Sequence, residues 1–369
     1  MKVGIVTFHA ANNYGAVLQA YALEEVIRRM GFKDVEIVNY VPWYIRRRYG
    51  LIAFKTDNIL NFTYTLTKSL FNLHGRISTR KKFEEFREKY LCLTPKIYKT
   101  FTDIPDVYDV CIVGSDQVWN FEITAGDRAF FLEFCGEKGI KASYAASMGK
   151  NSVTPGEEEM LKNGLSDFDY ISVREDSSRV LLTKLLNRDI LCVLDPTFLL
   201  NQRDWNDLLA KSCLDSPEHD TYLLLYRVAN DQRLLKIAET ISKEFDYAVL
   251  DLAPTLKSSI SGFKQLKNIG PVEFLALVKN ADFIVTNSYH GTIFSILYQK
   301  RFITVPHETR GVRIIDLLKR LHLEERLIYG TSNEFISSFF NINYSVVSKI
   351  LLNEIDKSIS FLKNVLTTG

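Results

Sequence analysis

Short apolar runs alternate with helix-length amphipathic segments along most of the chain. The first run, Val3 to Phe8, leads through a polar loop into a segment in which apolar residues recur at helical spacing. These residues are Leu18, Ala22, Val26 and Met30. The same strand, loop and helix order returns in both halves of the chain, so the pattern predicts parallel sheets with helices packed on their faces.

Polar groups follow the predicted strands of the first half at the point where each strand ends. They are Asn12-Asn13-Tyr14, Ser115-Asp116-Gln117, Ser147, Arg174-Glu175 and Asp195. Ligands of open α/β sheets bind beyond the carboxyl ends of the strands, so these groups predict a binding edge. Asp116 is interpreted either as a turn-capping residue or as a catalytic base.

The length of 369 residues exceeds the size at which one hydrophobic core stops growing, so two domains are expected. We predict an N-terminal α/β domain over residues 1–200 and a C-terminal α/β domain over residues 215–335. A helix within residues 340–369 is expected to pack back on the first domain. The predicted fold class is therefore α/β, with two Rossmann-like, doubly wound domains that face each other across a cleft.

Residues 41–100 interrupt the alternation and predict a helical, basic insertion with helices at about 59–73 and 78–90. From Trp43 to Thr100 there are 13 Lys and Arg against 4 Asp and Glu. One interpretation is a solvated helical insertion. The other is a surface at Trp43–Tyr49 that contacts anionic lipid or a polyanionic saccharide.

Composition excludes several classes of protein. A net charge of +2 argues against a dedicated nucleic-acid binder, and the five cysteines form no CxxC pair or zinc-ligand spacing. The N-terminus reads as a strand rather than a secretory signal, and no run of about 18 apolar residues is present, so a cytoplasmic protein is expected. Walker, HExxH, GxSxG and EF-hand motifs are absent from the sequence.

The stretch ADFIVTNSYHGTIFSILY predicts a buried strand, a polar turn and an apolar helix. A helix N-terminus binds anions through its unpaired backbone N–H groups and its positive dipole end. Asn287 or Ser288 is expected to cap this helix, and Gly291 to let a ligand approach the backbone. His290 is interpreted as a proton donor or phosphate ligand, or else as a half-buried side chain in a capped turn.

Four arginines are candidate cations for that anion: Arg174, Arg227, Arg310 and Arg313. Arginine pairs bidentately with carboxylate and phosphate, and a small polyanion needs two or three such partners. Each of them taken alone is more simply interpreted as a surface salt-bridge residue.

Several segments in chain order resemble the polysaccharide pyruvyl transferases, from the first strand to about residue 330. They are VGIVTFHAANNYGAVLQAYAL, VGSDQVWN, YAASMG, ISVRE, LDPTFLL and FIVTNSYHGTIFSILYQKRFITV. The resemblance implies a fold similar to the two-domain GT-B glycosyltransferases. It also implies transfer of the pyruvyl group of phosphoenolpyruvate (PEP) to two saccharide hydroxyls, giving a cyclic ketal during cell-surface polysaccharide biosynthesis, with no cofactor beyond this donor.

The resemblance also implies where the substrates bind. PEP would bind the C-terminal domain, with Arg174 and either Arg310 or Arg313 supplying cations and His290 matching the family's histidine. The remaining donor-binding candidates are Ser288, Tyr289, Gly291 and Thr292. The saccharide would lie against the N-terminal domain, where the candidates are Asn12, Asn13, Tyr14 and Gln117.

Ketal formation needs a proton for the enol carbon, stabilisation of a cationic C2 and a base for the attacking hydroxyl. An imidazolium is a suitable acid because imidazole titrates near neutrality. Asp116, Asp195 and Glu308 all remain candidates for the base. The sequence shows no metal-ligand cluster, so transfer without a metal is expected, with Arg and backbone N–H groups supplying the electrostatics.

Two alternatives remain at this point. One is a glycosyltransferase on the same scaffold that binds a nucleotide-sugar diphosphate at the anion turn, and the other is a non-catalytic saccharide-binding protein. A lipid-linked saccharide acceptor at the inner face of the membrane is a further hypothesis, with contact through Trp43–Tyr49 and no nucleic-acid partner.

Overall fold

The computed structural model describes residues 1–48, 73–210, 221–253, 260–307, 311–330 and 341–367. Within these ranges, eleven strands form two sheets in which every pairing is parallel. Helices connect the strands. Two parallel-sheet α/β domains are therefore present, and the predicted fold class is confirmed.

The first sheet has six strands in the order β2-β1-β3-β4-β5-β6. They are β1 (Val3–Val6), β2 (Val35–Ile37), β3 (Val110–Val113), β4 (Ile140–Ala146), β5 (Tyr170–Val173) and β6 (Leu191–Cys192). The strand order reverses between β1 and β3, which makes the loops after these two strands the topological switch point of the sheet.

Helices of the first domain connect these strands. They are α1 (Tyr14–Arg29), α2 (Trp43–Arg48), α3 (Leu73–Tyr90), α4 (Phe121–Thr124), α5 (Pro155–Leu165) and α6 (Asp176–Leu186). Hydrogen bonds between side chains and backbone N–H groups determine where these helices begin. The Asn13 side chain accepts from Ala16 N–H at the start of α1, and Thr154 with Glu157 forms a capping box ahead of Pro155.

The second sheet has five strands in the order β11-β10-β7-β8-β9. They are β7 (Tyr222–Tyr226), β8 (Ala248–Leu252), β9 (Lys264–Gln265), β10 (Phe283–Thr286) and β11 (Arg301–Thr304). Its helices are α7 (Gln202–Ala210), which precedes the sheet, α8 (Gln232–Phe245), α9 (Pro271–Asn280), α10 (Tyr289–Leu297) and α11 (Val312–Arg320). The order reverses between β7 and β10, and β10 leads directly into the SYHGT turn.

The last helix, α12 (Tyr344–Thr367), contacts both domains. Near its start the Tyr344 hydroxyl donates to the backbone oxygen of Lys300. Further along, Ser358 Oγ accepts from Leu194 N–H at 3.0 Å, and the Phe361 ring packs against Tyr144 of β4 at 6.3 Å. The helix thus spans from the second sheet to the first.

The domains also meet through the start of α1. The Tyr14 ring stacks on Phe274 of α9 with a centroid distance of 4.6 Å, and its hydroxyl donates to Ile269 O at 3.1 Å. Lys82 of α3 forms an ion pair with Glu273 of α9. These contacts fix the relative placement of the two sheet edges at which the polar residues lie.

The basic insertion is described in part. The helix predicted at 78–90 is α3 and begins earlier, at Leu73, with Phe83 and Phe86 buried against the first domain. Residues 49–72, which hold most of the helix predicted at 59–73 and Tyr49 of the predicted surface, lie outside the described residues. In the part of the chain that the structure describes, no helix combines the length and apolarity needed to cross a membrane.

Candidate functional site

The carboxyl edges of both sheets meet at one cluster of polar side chains. Ser115 and Asp116 follow β3, Arg174 follows β5 directly, and Asp195 follows β6. His290 reaches them from α10, immediately after β10 of the second sheet. The cluster therefore lies beyond the carboxyl ends of the strands of both sheets, where open α/β folds bind ligands.

His290 occupies the first turn of α10. Ser288 is the N-cap, and its Oγ accepts from Gly291 N–H at 3.2 Å, which decides between the two capping residues that the sequence left open. Asn287 instead joins β10 to the loop after β7, accepting from Val228 N–H at 2.8 Å. Gly291 N–H and Thr292 N–H therefore have acceptors in Ser288, whereas the N–H groups of Tyr289 and His290 have no acceptor within the helix.

Gly15 of α1 lies against the His290 ring. A methyl group on Gly15 would sit 1.9 Å from Nδ1 of His290, which is far inside van der Waals contact. The absence of a side chain at Gly15 therefore lets the imidazole approach the start of α1. This contact joins the two most specific segments of the sequence, NNYG and SYHGT, across the domain interface.

Asp195 is fully buried and its carboxylate is surrounded by donors. Oδ1 accepts from the Thr197 hydroxyl at 2.7 Å and from Thr197 N–H at 3.1 Å. Oδ2 accepts from Ser115 Oγ at 3.0 Å and from Arg174 Nη1 at 2.9 Å, and lies 3.4 Å from His290 Nε2 without hydrogen-bond alignment. Burial by itself raises the pKa of this carboxyl, but the His290 ring, the Arg174 guanidinium and the Thr197 hydroxyl hold it well below its usual range.

These contacts argue against Asp195 as the base, because its carboxylate already accepts four hydrogen bonds from groups of the fold. One oxygen of Asp195 lies 2.9 Å from Arg174 Nη1 of the first domain and 3.4 Å from His290 Nε2 of the second.

Arg174 is buried and distributes its guanidinium over several partners. Its Nε donates to Glu175 at 3.1 Å, and Nη1 donates to Asp195 and to Ser115 Oγ. Its Nη2 has no hydrogen-bond partner and lies 4.0 Å from Asp116. The guanidinium also lies over the Tyr289 ring, 4.4 Å from the centroid.

Arg313 approaches the same ring from α11, with its guanidinium 5.5 Å from the Tyr289 centroid. Burial, together with the charge of Arg174, lowers the pKa of Arg313. Its Nε has no hydrogen-bond partner. Two guanidiniums that repel each other are thus held near one aromatic ring, an arrangement that an anion between them stabilises. Arg310, the other candidate for this cation, lies outside the described residues.

Asp116 stands at the edge of the cluster with a strained backbone, at φ = 88°. A positive φ is uncommon for a residue with a side chain and is concentrated at functional sites. Its Oδ1 accepts from Gln117 N–H at 2.8 Å, and its side chain keeps 15% exposure. Asp116 is thus near the cluster and still reachable from outside it. Glu308, the third candidate for the base, lies outside the described residues.

Of the four predicted acceptor-binding residues, Asn13 and Tyr14 have structural roles, whereas Asn12 and Gln117 lie at the switch point of the first sheet. Asn13 caps α1, and Tyr14 packs between the domains, so both side chains have structural partners. Asn12 accepts from Arg87 at 3.2 Å, and Gln117 accepts from Asn120 at 2.8 Å. Asn12 and Gln117 lie in the loops after β1 and β3, at the switch point of the first sheet.

The donor-binding residues of the turn also carry structural contacts. Thr292 is buried, and its hydroxyl donates to Ser288 O at 3.0 Å and contacts Thr304. A methyl group on Gly291 would lie 2.8 Å from the Tyr226 ring, so this glycine is required by packing. Ser288, Tyr289 and His290 are therefore the members of the turn whose side chains face the cluster or cap its helix.

Arg227, one of the four candidate cations, lies apart from the cluster in a buried ion pair. Its Nε and Nη2 donate to the two oxygens of Asp251 at 2.9 and 2.7 Å. Both side chains are fully buried. Its interpretation as an anion-binding residue is corrected, because its guanidinium is bound in the fold of the second domain.

Sequence reasoning did not find the roles of Gly15, Ser115 and Thr197. Gly15 and Thr197 lie inside segments that had been singled out, NNYG and LDPT. Gly15 and Ser115 make their contacts with residues far away in the chain, whereas Thr197 binds Asp195 two positions before it. Among the described residues, no group of three or more His, Cys, Asp or Glu side chains has the arrangement of a metal site.

The fold is that of two-domain GT-B proteins. The UDP-GlcNAc 2-epimerase of Neisseria meningitidis, solved with UDP-GlcNAc, is similar with a TM-score of 0.52 and 10% identity over 100% of both chains. The UDP-GlcNAc 2-epimerase of Methanocaldococcus jannaschii is similar with a TM-score of 0.50 and 14% identity, again over 100% of both chains. At these identities the likeness concerns the fold alone.

The sequence comparison is more specific. The sequence model of the polysaccharide pyruvyl transferase family matches residues 13–309. The chain therefore belongs to the polysaccharide pyruvyl transferase family, a family of transferases, and the resemblance drawn from its motifs is confirmed. The comparison with curated proteins found no match.

Proposed function

We propose that this protein transfers the pyruvyl group of PEP to two hydroxyls of a saccharide and forms a cyclic ketal. The observation that carries the proposal is the convergence of three side-chain nitrogens without hydrogen-bond partners: Arg174 Nη2, His290 Nε2 and Arg313 Nε. PEP carries a carboxylate and a phosphate, two anions that guanidinium groups bind well. Membership of the family supports this donor over other anions.

The reaction uses the C2–C3 double bond of PEP. A proton added to C3 produces the methyl group and leaves C2 cationic, and the first sugar oxygen bonds to C2. Phosphate then leaves with the electron pair of its C2–O bond, and the second sugar oxygen takes its place. Of the two hydroxyl protons released, one balances the proton added to C3 and the other leaves with phosphate.

We assign the acid role to His290. Its Nε2 has no hydrogen-bond partner and lies 3.4 Å from the Asp195 carboxylate. Gly15 on one side and Tyr289 on the other restrict the ring, since Tyr289 contacts it edge to face at 5.3 Å. A proton donor with a fixed orientation is what addition to one carbon of the donor requires.

We assign the base role to Asp116. Of the three candidates, Asp195 is enclosed, whereas Asp116 keeps an exposed fraction and lies 4.0 Å from Arg174. The acceptor then lies along the loops after β1 and β3, near Asn12 and Gln117. This leaves the saccharide on the first domain and the donor near the second.

Arg174, Arg313 and the start of α10 supply the electrostatic stabilisation. Their positive charges face the phosphate as it acquires negative charge on leaving, and fixed donors in a water-poor site act strongly on such charge. Tyr289 keeps the two guanidiniums near each other by contacting both.

Ligand-dependent thermal unfolding tests the choice of donor. PEP is expected to raise the midpoint in proportion to the logarithm of its concentration, whereas UDP-GlcNAc and GDP-mannose are not. Protection by a nucleotide sugar and not by PEP would overturn the proposal in favour of a glycosyltransferase. Protection by a saccharide alone would favour a non-catalytic binding protein.

Phosphate release by His290→Ala tests the acid role. We expect PEP to protect the variant from unfolding as it protects the parent, while phosphate release in the presence of acceptor falls on the order of 10³-fold. His322→Ala changes an exposed histidine and serves as the matched control. Unchanged phosphate release in His290→Ala would remove this residue from the chemistry.

A further inference from the structure

A surface of the first domain combines exposed apolar side chains with cations. Its first part is helix α2, which is held down by two residues. Ile45 is buried, and the Tyr44 hydroxyl donates to Asp127 at 2.6 Å. The other side chains, Trp43, Arg46, Arg47 and Arg48, point to solvent, with Trp43 68% exposed.

The second part of this surface comes from residues 96–99. Tyr98 N–H donates to Asn39 O at 2.9 Å and Val41 N–H to Tyr98 O at 2.8 Å, which places this segment beside the chain that leads into α2. Tyr98 is buried, so its neighbours in the extended segment face outward. Ile97 is 56% exposed, and Lys96 and Lys99 are exposed.

We call the seven exposed residues the α2 surface: Trp43, Arg46, Arg47, Arg48, Lys96, Ile97 and Lys99. In the part of the chain that the structure describes, two carboxylates lie beside it, Asp103 near Lys96 and Asp127 bonded to Tyr44. Its five cations therefore exceed its neighbouring carboxylates. Among the described residues, no ion pair involves Arg46, Arg47 or Arg48.

The combination of positive charge and exposed hydrophobic side chains on the α2 surface distinguishes a membrane from a soluble polyanion as its partner. A soluble polyanion pairs with the arginines but leaves Ile97 and much of Trp43 in water. A membrane interface accepts both kinds of group, since Trp partitions to the headgroup region, aliphatic side chains insert below it, and anionic headgroups attract Arg and Lys.

We propose that the α2 surface docks the protein on a membrane that contains anionic phospholipids. The inference does not rest on the proposed reaction. If that reaction holds, docking brings the enzyme to a lipid-linked acceptor.

Tryptophan fluorescence gives a direct test, because the other two tryptophans, Trp119 and Trp205, are buried at 1% and 0% exposure. Vesicles of phosphatidylcholine with 30–40% phosphatidylglycerol, roughly the charge of an anionic bilayer, are expected to shift emission to the blue. Brominated lipid in the same vesicles is expected to quench it. Vesicles of phosphatidylcholine alone should do neither, and salt should weaken the effect.

Matched variants assign the binding to this surface. The triple variant Arg46→Gln, Arg47→Gln, Arg48→Gln is expected to lower the partition coefficient roughly 100-fold, from about five-fold per arginine. The control removes the same charge from exposed sites elsewhere, through Lys236→Gln, Lys243→Gln and Lys357→Gln. It should change the partition coefficient less than about three-fold. Trp43→Ala should abolish the blue shift and weaken partition.

Three results would overturn the proposal. The first is that the two triple variants partition equally to anionic vesicles, and the second is that the protein binds neutral and anionic vesicles equally. The third is that the protein binds heparin while vesicles leave Trp43 emission unchanged. The last would identify the α2 surface as a site for a soluble polyanion. Circular dichroism melting confirms that each variant is folded, and the exposure of the substituted side chains predicts that it is.

Discussion

Two buried arginines, one in each domain, differ in how completely their guanidinium groups are hydrogen-bonded. Arg227 follows β7 and binds both oxygens of Asp251, so its guanidinium and the carboxylate form a closed pair within one domain. Arg174 follows β5 and divides its donors among Glu175, Ser115 and Asp195, leaving Nη2 without a hydrogen-bond partner, 4.0 Å from Asp116.

The difference teaches how to distinguish a buried charge that is bound within the fold from one that retains a free donor. Both arginines are buried and both follow a parallel strand, so neither burial nor position separates them. What separates them is hydrogen-bond satisfaction, since a buried donor without a partner is costly unless a ligand satisfies it. Arg174 retains such a donor at the domain interface, whereas Arg227 lies in a bidentate pair.

The largest expected effect comes from replacing each arginine with lysine. Arg227→Lys loses the bidentate geometry of a buried pair, and we expect about 3 kcal/mol lower unfolding free energy with activity per folded molecule nearly unchanged. Arg174→Lys keeps a charge beside Asp195 but loses the free nitrogen, so transfer from PEP should fall on the order of 10³-fold with a smaller change in stability. Urea unfolding measures the stability of the two variants, and steady-state kinetics measure their activity. Equal losses of activity in Arg227→Lys and Arg174→Lys would contradict the distinction between the two arginines.

Asp195→Asn sharpens the comparison, because it leaves Arg174 in place but removes the carboxylate that it shares with His290. We expect activity to fall roughly 300-fold, mostly in kcat. Steady-state kinetics with PEP and acceptor measure this loss against the parent. Asp251→Asn is the counterpart in the closed pair. It should lower stability without changing kcat, and an unchanged kcat in Asp195→Asn would show that Asp195 acts on stability alone.

Gly15→Ala tests whether the contact across the domains matters for catalysis. The added methyl group would lie 1.9 Å from His290 Nδ1, so the ring must move. A displacement of about 1 Å at a reacting group lowers the rate on the order of 100-fold, and we expect this loss in kcat with PEP protection retained. Gly156→Ala is the control, because nothing lies within 4 Å of its added methyl group. Full activity in Gly15→Ala would mean that the ring position is not limiting.

The smallest expected effect concerns His9, a buried residue that, unlike Arg174 and Arg227, has no charged hydrogen-bond partner. Its ring nitrogens lie 3.2 Å from Thr7 O and from Asn39 Oδ1, and burial lowers its pKa to about 4. Because the folded pKa is below the unfolded value of about 6.5, its contribution to stability is complete above pH 6.5 and is lost as pH falls toward 4. At pH 5 the loss should be about 2 kcal/mol.

Urea unfolding at pH 8 and pH 5 measures this loss. His9→Gln should remove most of the pH dependence, whereas His322→Asn, at an exposed histidine, should leave it. An unchanged slope in His9→Gln would assign the acid sensitivity to other groups.

Much of the fold was predictable because it follows from local pattern. The strand and helix alternation predicted two parallel α/β domains, and the polar residues after each strand predicted which edge carries the cluster of polar side chains. The SYHGT turn indicated a helix start with a histidine in its first turn, and Ser288, Tyr289 and His290 take those positions.

The sequence could not separate residues of the same type. Arg174 and Arg227 both follow apolar strands, and the difference between them depends on whether a carboxylate lies opposite, which is a property of strand order and domain packing. The same holds for Asp116 and Asp195, since one is partly exposed and the other is enclosed by Ser115, Arg174 and Thr197.

The sequence by itself therefore determined the α/β class, the family and the turn that carries His290, because periodicity, capping residues and short motifs are local properties. The tertiary structure alone decided which polar groups meet there. It brought Gly15 against His290, joined Arg174 and His290 through Asp195, and closed Arg227 on Asp251. Contacts between residues that lie 21 to 275 positions apart depend on strand order and on how the two sheets pack, and no local pattern records them.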